Sequence, residues 1–111
     1  MNVIYAIKIE VDPNDEATWD EWYTRHHMSD VLAQPGFLRA TKYKIDSKEG
    51  EWSQYLTFYE VESREALDAY LHGDAVTRLR ADHYERFGAC TRLSRMILTP
   101  TALVDKPIGE A

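Results

Sequence analysis

The sequence predicts an α+β domain in the order β-α-β-β-α-β, and three kinds of observation carry that prediction. Apolar residues alternate with period two over 2–11, 37–46, 52–61 and 89–99; two longer stretches between them repeat at helical spacing; Pro, Gly, Asn and Asp punctuate the joints. The 111 residues are enough for one core and too few for two.

Asn2 to Val11 sets Val3, Tyr5, Ile7, Ile9 and Val11 against Ile4, Ala6, Lys8 and Glu10, a strand with one wholly apolar face. Asp12-Pro13-Asn14-Asp15 ends it. Acidic residues at 15, 16, 20 and 21 then favour a helix start by opposing its dipole, so a helix is expected over 14–33. Pro35-Gly36 breaks the chain. Phe37 to Asp46 reads as a second strand with Phe37, Arg39, Thr41, Tyr43 and Ile45 on one side. Ser47 to Glu51 is turn composition, and Trp52 to Val61 is the antiparallel partner of the second strand. Ser63 is an N-cap for a helix that buries Ala66, Leu67, Tyr70 and Leu71 before Gly73 stops it. Asp74 caps a second segment, along which Val76, Leu79, His83 and Phe87 recur at helical spacing. Ala89 to Thr99, with Cys90 inside it, is the last strand, ended by Pro100.

This order is the split βαβ arrangement of a ferredoxin-like sandwich, an antiparallel sheet with both helices on one face. In the last strand Thr91, Leu93, Arg95 and Ile97 alternate with Cys90, Arg92, Met96 and Leu98, so apolar groups lie on both faces. Only one face meets the helices. The other is expected to pack against the sheet of a second copy, giving a homodimer, a dimeric α/β barrel. The domain is expected over 1–100, and 101–111 as a C-terminal tail that crosses the partner or stays mobile.

Composition narrows the function. A formal net charge of −6 argues against an unaided grip on nucleic acid or anionic lipid, both of which need clustered Lys and Arg. No apolar run approaches a membrane span, the N-terminus reads as a strand with no signal-peptide pattern, and the lone Cys90 forms no internal disulfide, so a cytoplasmic protein is expected. Five scattered glycines form no phosphate loop. A small molecule is the expected partner, with no nucleic acid and no membrane.

The first helix carries the functional signal. At about 100° per residue Trp19, Trp22, Tyr23, His26, His27 and Asp30 fall on one half of it, where an ordinary core helix carries Leu, Ile and Val. Asp30 follows His27 by three residues and His26 by four, spacings that orient an imidazole for proton transfer. Trp, Tyr and His also serve as core residues with a polar tip, the plainer reading of the same face. His83 shares the apolar stripe of the second helix and is read first as a buried structural histidine, second as a pocket residue. Tyr5, Tyr43, Tyr55 and Tyr59 lie on strands, where a phenol can donate to a substrate carbonyl; the face each takes is open. Adjacent histidines diverge on a helix, so no metal site is expected.

Trp19-x-x-Trp22-Tyr23-x-x-x-His27, followed by Gln34-Pro35-Gly36-Phe37-x-Arg39-Ala40-x-x-Tyr43, resembles the small dimeric α/β-barrel proteins related to the EthD group, as does Tyr55 to Ser63. The resemblance covers roughly two thirds of the chain. It implies a pocket between helices and sheet with His27 looking into it. The chain departs from the pattern at His26, where relatives commonly carry an acid, and at Ser29, where they commonly carry proline. Tyr70 to Ala75 resembles the second-helix motif of the haem-degrading branch, but the ligating histidine would fall near Arg80 and the motif tryptophan is Tyr70, so haem is not expected.

The expectation is a cofactor-independent lyase or isomerase of cyclase or dehydratase type, acting on a small aromatic or polyketide-like carbonyl compound. His27 moves the proton, with Tyr23, Asp30 and His26 as its catalytic companions and Trp19, Trp22, Tyr43, Tyr55, Tyr59 and His83 lining the substrate site. An unshifted imidazole sets the pH dependence near neutrality. The alternatives are a cofactor-free monooxygenase of the same superfamily and a noncatalytic small-ligand-binding module.

Overall fold

The computed structural model describes residues 2–109 and has the expected order. Strand β1 is Val3–Val11, followed by a helix in three parts: α1 (Glu16–Trp22), a π-helical turn (Tyr23–His27) and α2 (Met28–Leu32). Strands β2 (Phe37–Ile45) and β3 (Ser53–Val61) form the hairpin, α3 (Arg64–Leu71) and α4 (Asp74–Phe87) form the broken second helix, and β4 is Thr91–Leu98. Ser63 caps α3, its hydroxyl accepting from the Ala66 amide at 3.1 Å.

The sheet has the order β2-β3-β1-β4 and is antiparallel throughout, the ferredoxin-like topology. The register aligns Val3, Tyr5, Ile7, Ile9 and Val11 with Val61, Tyr59, Thr57, Tyr55 and Ser53, and all ten are buried beneath the helices. Tyr5, Ile7 and Ile9 also pair with Ile97, Arg95 and Leu93 of the edge strand, which puts Arg95 on the helix side. Gly36, at φ +84°, turns the chain into β2 and passes so close to α3 that a Cβ there would lie 2.6 Å from the Ala66 Cβ.

Two local irregularities rotate residues away from their expected faces. The π turn closes with the Met28 amide bonded to the Tyr23 carbonyl, five residues back. One residue more in that turn rotates the rest of the helix by about one helical step, roughly 100°. Met28 and Val31 are therefore buried, while His26 and Asp30, expected on the inward face, are exposed. In β2 a bulge between Phe37 and Arg39 does the same to a strand. Phe37 and Ala40 end up on the helix side with Lys42, and Tyr43 points from the opposite face, 52% exposed and packed edge-on against Phe58.

The face away from the helices carries Ile4, Leu56, Phe58, Tyr43, Met96 and Leu98. Cys90, expected inside the last strand, precedes it, and burial raises its thiol pKa above the ordinary value. Residues 99–109 are exposed and form neither helix nor strand. Among the described residues no helix is long and apolar enough to cross a membrane.

Candidate functional site

A cavity opens between the helix side of the sheet and the helices. The sheet contributes Tyr5, Ile7, Tyr59, Leu93 and Arg95; the π turn contributes Tyr23 and His27, with Val31 below them; the second helix contributes Tyr70, Leu79, Arg80 and His83. Its volume of about 30 Å³ holds roughly two water molecules. Arg80, an exposed residue, donates across to the buried Tyr5 hydroxyl at 2.9 Å, so its side chain runs from the surface of α4 to the sheet at the cavity's edge.

The π turn places His27 in this wall. Its ring stacks on Tyr23, centroids 5.1 Å apart, and lies 5.5 Å from both Trp22 and His83. His27 Nδ1 is buried and has no hydrogen-bond partner among the described residues; the buried Tyr59 hydroxyl makes no well-aligned hydrogen bond among them, although it lies within the influence of the Tyr23 hydroxyl. A buried polar atom left unpaired costs about 1–3 kcal/mol, and both of these belong to residues that line the cavity.

The other polar groups have partners that fix them. His83 Nε2 accepts from the Trp19 indole N–H at 3.1 Å, which leaves the proton of the neutral ring on Nδ1, since indole can only donate. The Tyr23 hydroxyl donates to Thr57 Oγ1 at 3.1 Å. Tyr55 donates to Glu16, a carboxylate that also takes Ser53 and Lys44, and is thereby turned away from the cavity.

Burial decides the protonation states. It lowers the His27 pKa from 6.5 to about 4, and the nearby charges of Asp30 and Asp82 only partly oppose it. His83 is likewise lowered to about 4 by burial, and His27 and Arg95 add to the shift. Both imidazoles are neutral at pH 7, which corrects the expectation of a titration near neutrality. The phenols move the other way: burial raises Tyr23 and Tyr70 to about 12, and raises Tyr59 well above its ordinary value. They are donors at any physiological pH.

Of the expected catalytic group, His27 and Tyr23 line the cavity, whereas His26 and Asp30 do not. Asp30 makes no hydrogen bond to His27 and reaches it only through space. Of the expected substrate residues, Tyr59 and His83 line the cavity. Trp19 lies fully buried behind it, Trp22 packs on His27 and Phe87, Tyr55 is held by Glu16, and Tyr43 is on the far face of the sheet. Tyr70, Arg80 and Arg95 were not assigned to the site from the sequence. Arg95 was legible there only through its place beside Leu93 and Ile97 in the alternation of β4, and Arg80 through its position after Leu79 and near the place where the resembled haem-degrading branch would carry its ligating histidine. Among the described residues no cluster of three His, Cys, Asp or Glu side chains is arranged to hold a metal ion.

Residues 2–101 match the model of a family described as a domain of unknown function, DUF4286, and the chain belongs to that family. No curated protein matches the sequence. Solved structures are similar in fold. An EthD family protein from Bacillus halodurans is 18% identical with a TM-score of 0.68, over 89% of this chain and 99% of that one. A variant of SnoaB, a cofactor-independent oxygenase from Streptomyces nogalater, is 17% identical with a TM-score of 0.67, over 95% and 98%. HapK from Hahella chejuensis is 14% identical with a TM-score of 0.67, over 98% and 100%. These likenesses establish the ferredoxin-like fold.

Proposed function

We propose that this DUF4286 protein is a cofactor-independent enzyme that moves a proton on a small carbonyl compound, with His27 as the general base. One observation carries the reading: a neutral imidazole whose buried Nδ1 has no partner among the described residues, in the wall of a cavity rich in aromatic side chains. A residue serving only as a core histidine would have its buried nitrogen hydrogen-bonded, as His83 does.

The chemistry follows from the groups present. His27 takes a proton from the carbon beside a carbonyl, and the C–H electron pair moves onto the carbonyl oxygen as an enolate. The Tyr59 hydroxyl, which makes no well-aligned hydrogen bond among the described residues, is the donor for that oxygen, since the neighbouring Tyr23 hydroxyl donates to Thr57. The imidazolium then returns the proton to a different carbon, an isomerisation, or to a β leaving group, an elimination. A base held near 4 suits carbon acids already activated by a second carbonyl or an attached ring, which favours aromatic and polyketide-like substrates and a lyase or isomerase outcome. A ring-sized substrate is larger than the closed cavity, so it enters with displacement of Arg80 from Tyr5.

A second reading, cofactor-free oxygenation, is favoured by the fold shared with SnoaB. There the enolate gives its electrons to dioxygen. Both are tested by incubating the protein with aromatic ketones and 1,3-dicarbonyl compounds in D2O, following carbon-bound deuterium by mass and dioxygen with an electrode. Deuterium uptake dependent on His27 supports the proposal, and dioxygen consumption selects the second outcome. Compounds that bind in the cavity with neither result would leave a noncatalytic binding module.

The homodimer belongs to the same reading. The face bearing Leu56, Phe58, Tyr43, Met96 and Leu98 is the surface we expect a second copy to cover, sheet against sheet.

A further inference from the structure

Resting on the cavity being the site proposed above, we infer that its ligand is a carboxylic acid or an equivalent planar oxyanion, docked at the opening between Arg80 and Arg95. Both arginines line the cavity, one from α4 and one from the edge strand β4, and both are exposed. Neither has a carboxylate partner among the described residues, whereas Arg25, Arg39, Arg64, Arg86 and Arg92 each have one; Arg78 also lacks one but does not line the cavity. In a chain of 19 acidic and 13 basic residues, two guanidinium groups without a carboxylate at one cavity mouth form a local exception to the charge balance.

Arg80 spends a single N–H on the Tyr5 hydroxyl. A guanidinium has five donors in a fork that matches a carboxylate with two parallel bonds, so most of this capacity is free. Nearby acids do not occupy it. Asp82 pairs with Arg86 at 2.9 Å, and neither Asp82 nor Asp30 lines the cavity. Because the protein as a whole is negative, an anion gains nothing from the general field, and binding depends on these two side chains. Deeper in the cavity the Tyr59 hydroxyl, beside that of Tyr23, and His27 Nδ1 are buried polar atoms with no well-aligned hydrogen bond among the described residues. The ligand is therefore polar at both ends, with the oxyanion at the mouth, a carbonyl or hydroxyl inside, and an apolar body against Tyr5 and Leu93. An aromatic or β-keto acid has this form.

A carboxylate at the mouth would also act on His27. The charge of Arg95 disfavours the imidazolium there, and a bound anion offsets it.

The test compares benzoate with benzamide, its neutral counterpart of the same shape, by NMR titration of the folded protein and its R80Q, R95Q, R95K and R25Q variants. Benzoate is expected to bind at least 10-fold more tightly than benzamide, to shift the Tyr59 and His27 resonances, and to raise the pH at which the His27 ring titrates. R80Q and R95Q should each weaken benzoate about 10-fold, R95K less, and R25Q not at all, with benzamide indifferent to all four. Equal binding of the two compounds at the cavity overturns the inference and leaves the cavity as the site. Benzoate affinity unchanged in folded R80Q and R95Q, or no benzoate effect on the cavity resonances, overturns it as well. The proton-transfer reading stands or falls separately, on deuterium uptake.

Discussion

Two neutral histidines in one core make the fold sensitive to mild acid. In the unfolded chain each imidazole titrates near 6.5 and in the folded one near 4. Between those values the unfolded state binds more protons, so stability is fully present above pH 6.5 and is lost as pH falls towards 4. From pH 8 to pH 5 each histidine contributes a loss of about 2 kcal/mol, or about 4 kcal/mol for both, against a total of about 5–15 kcal/mol for a domain. Glu16 does not confuse this window, because its pKa is lowered from 4.5 and its contribution is lost only at lower pH. The assay is urea unfolding followed by circular dichroism at pH 8, 7, 6 and 5, on the wild type and on the His27→Gln/His83→Gln double variant. Glutamine at 83 keeps an acceptor for the Trp19 indole. The wild type should lose stability along this series and the double variant should lose much less. Equal pH dependence in the two proteins would refute the burial argument, and with it the neutral state assigned to His27.

The same structure sets three further outcomes. His83→Gln should lower stability while leaving the rate of the folded fraction near that of the wild type, because His83 is held by Trp19; a large rate loss at unchanged stability would make His83 part of the chemistry. Size measurement in solution at micromolar concentration should give a dimer burying more than about 1,200 Å² in total, and Phe58→Glu should break it; a stable wild-type monomer would sink the sheet-to-sheet barrel. Gly36→Ala should cost about 2 kcal/mol or more in denaturant titration, since φ +84° and contact with Ala66 both oppose a Cβ, and an unchanged midpoint would contradict that geometry.

The order of elements was legible because each apolar pattern had its own period and each joint its own turn residues. The faces were less so, for one physical reason met twice. A π turn and a β-bulge each insert a residue into a regular repeat, and every residue beyond the insertion changes side. His26 and Asp30 left the inward face through the first, and Tyr43 was parted from the face of Phe37 through the second. Tyr55 lies on the helix side but does not line the cavity, because the Glu16 carboxylate, distant in sequence, claims its hydroxyl. The arginines show another limit. A charged residue in a strand or helix pattern reads as solvent-facing, and only the register of β4 on β1 and the bond from Arg80 to Tyr5 bring two of them to the lining of one cavity. What the sequence did carry was the aromatic and histidine spacing of the first helix, from which Tyr23 and His27 were assigned to the site.

The most direct test of His27 as the base is deuterium incorporation into a responsive carbonyl substrate, measured for wild type, His27→Ala and His26→Ala from pH 4 to pH 8. The wild-type rate should be level above about pH 5 and fall as His27 gains its proton near pH 4. His27→Ala should be slower by about 10²–10⁴ with its fold retained, and His26→Ala, altered only at an exposed position, should match the wild type. A His27→Ala protein as fast as the wild type would contradict the account.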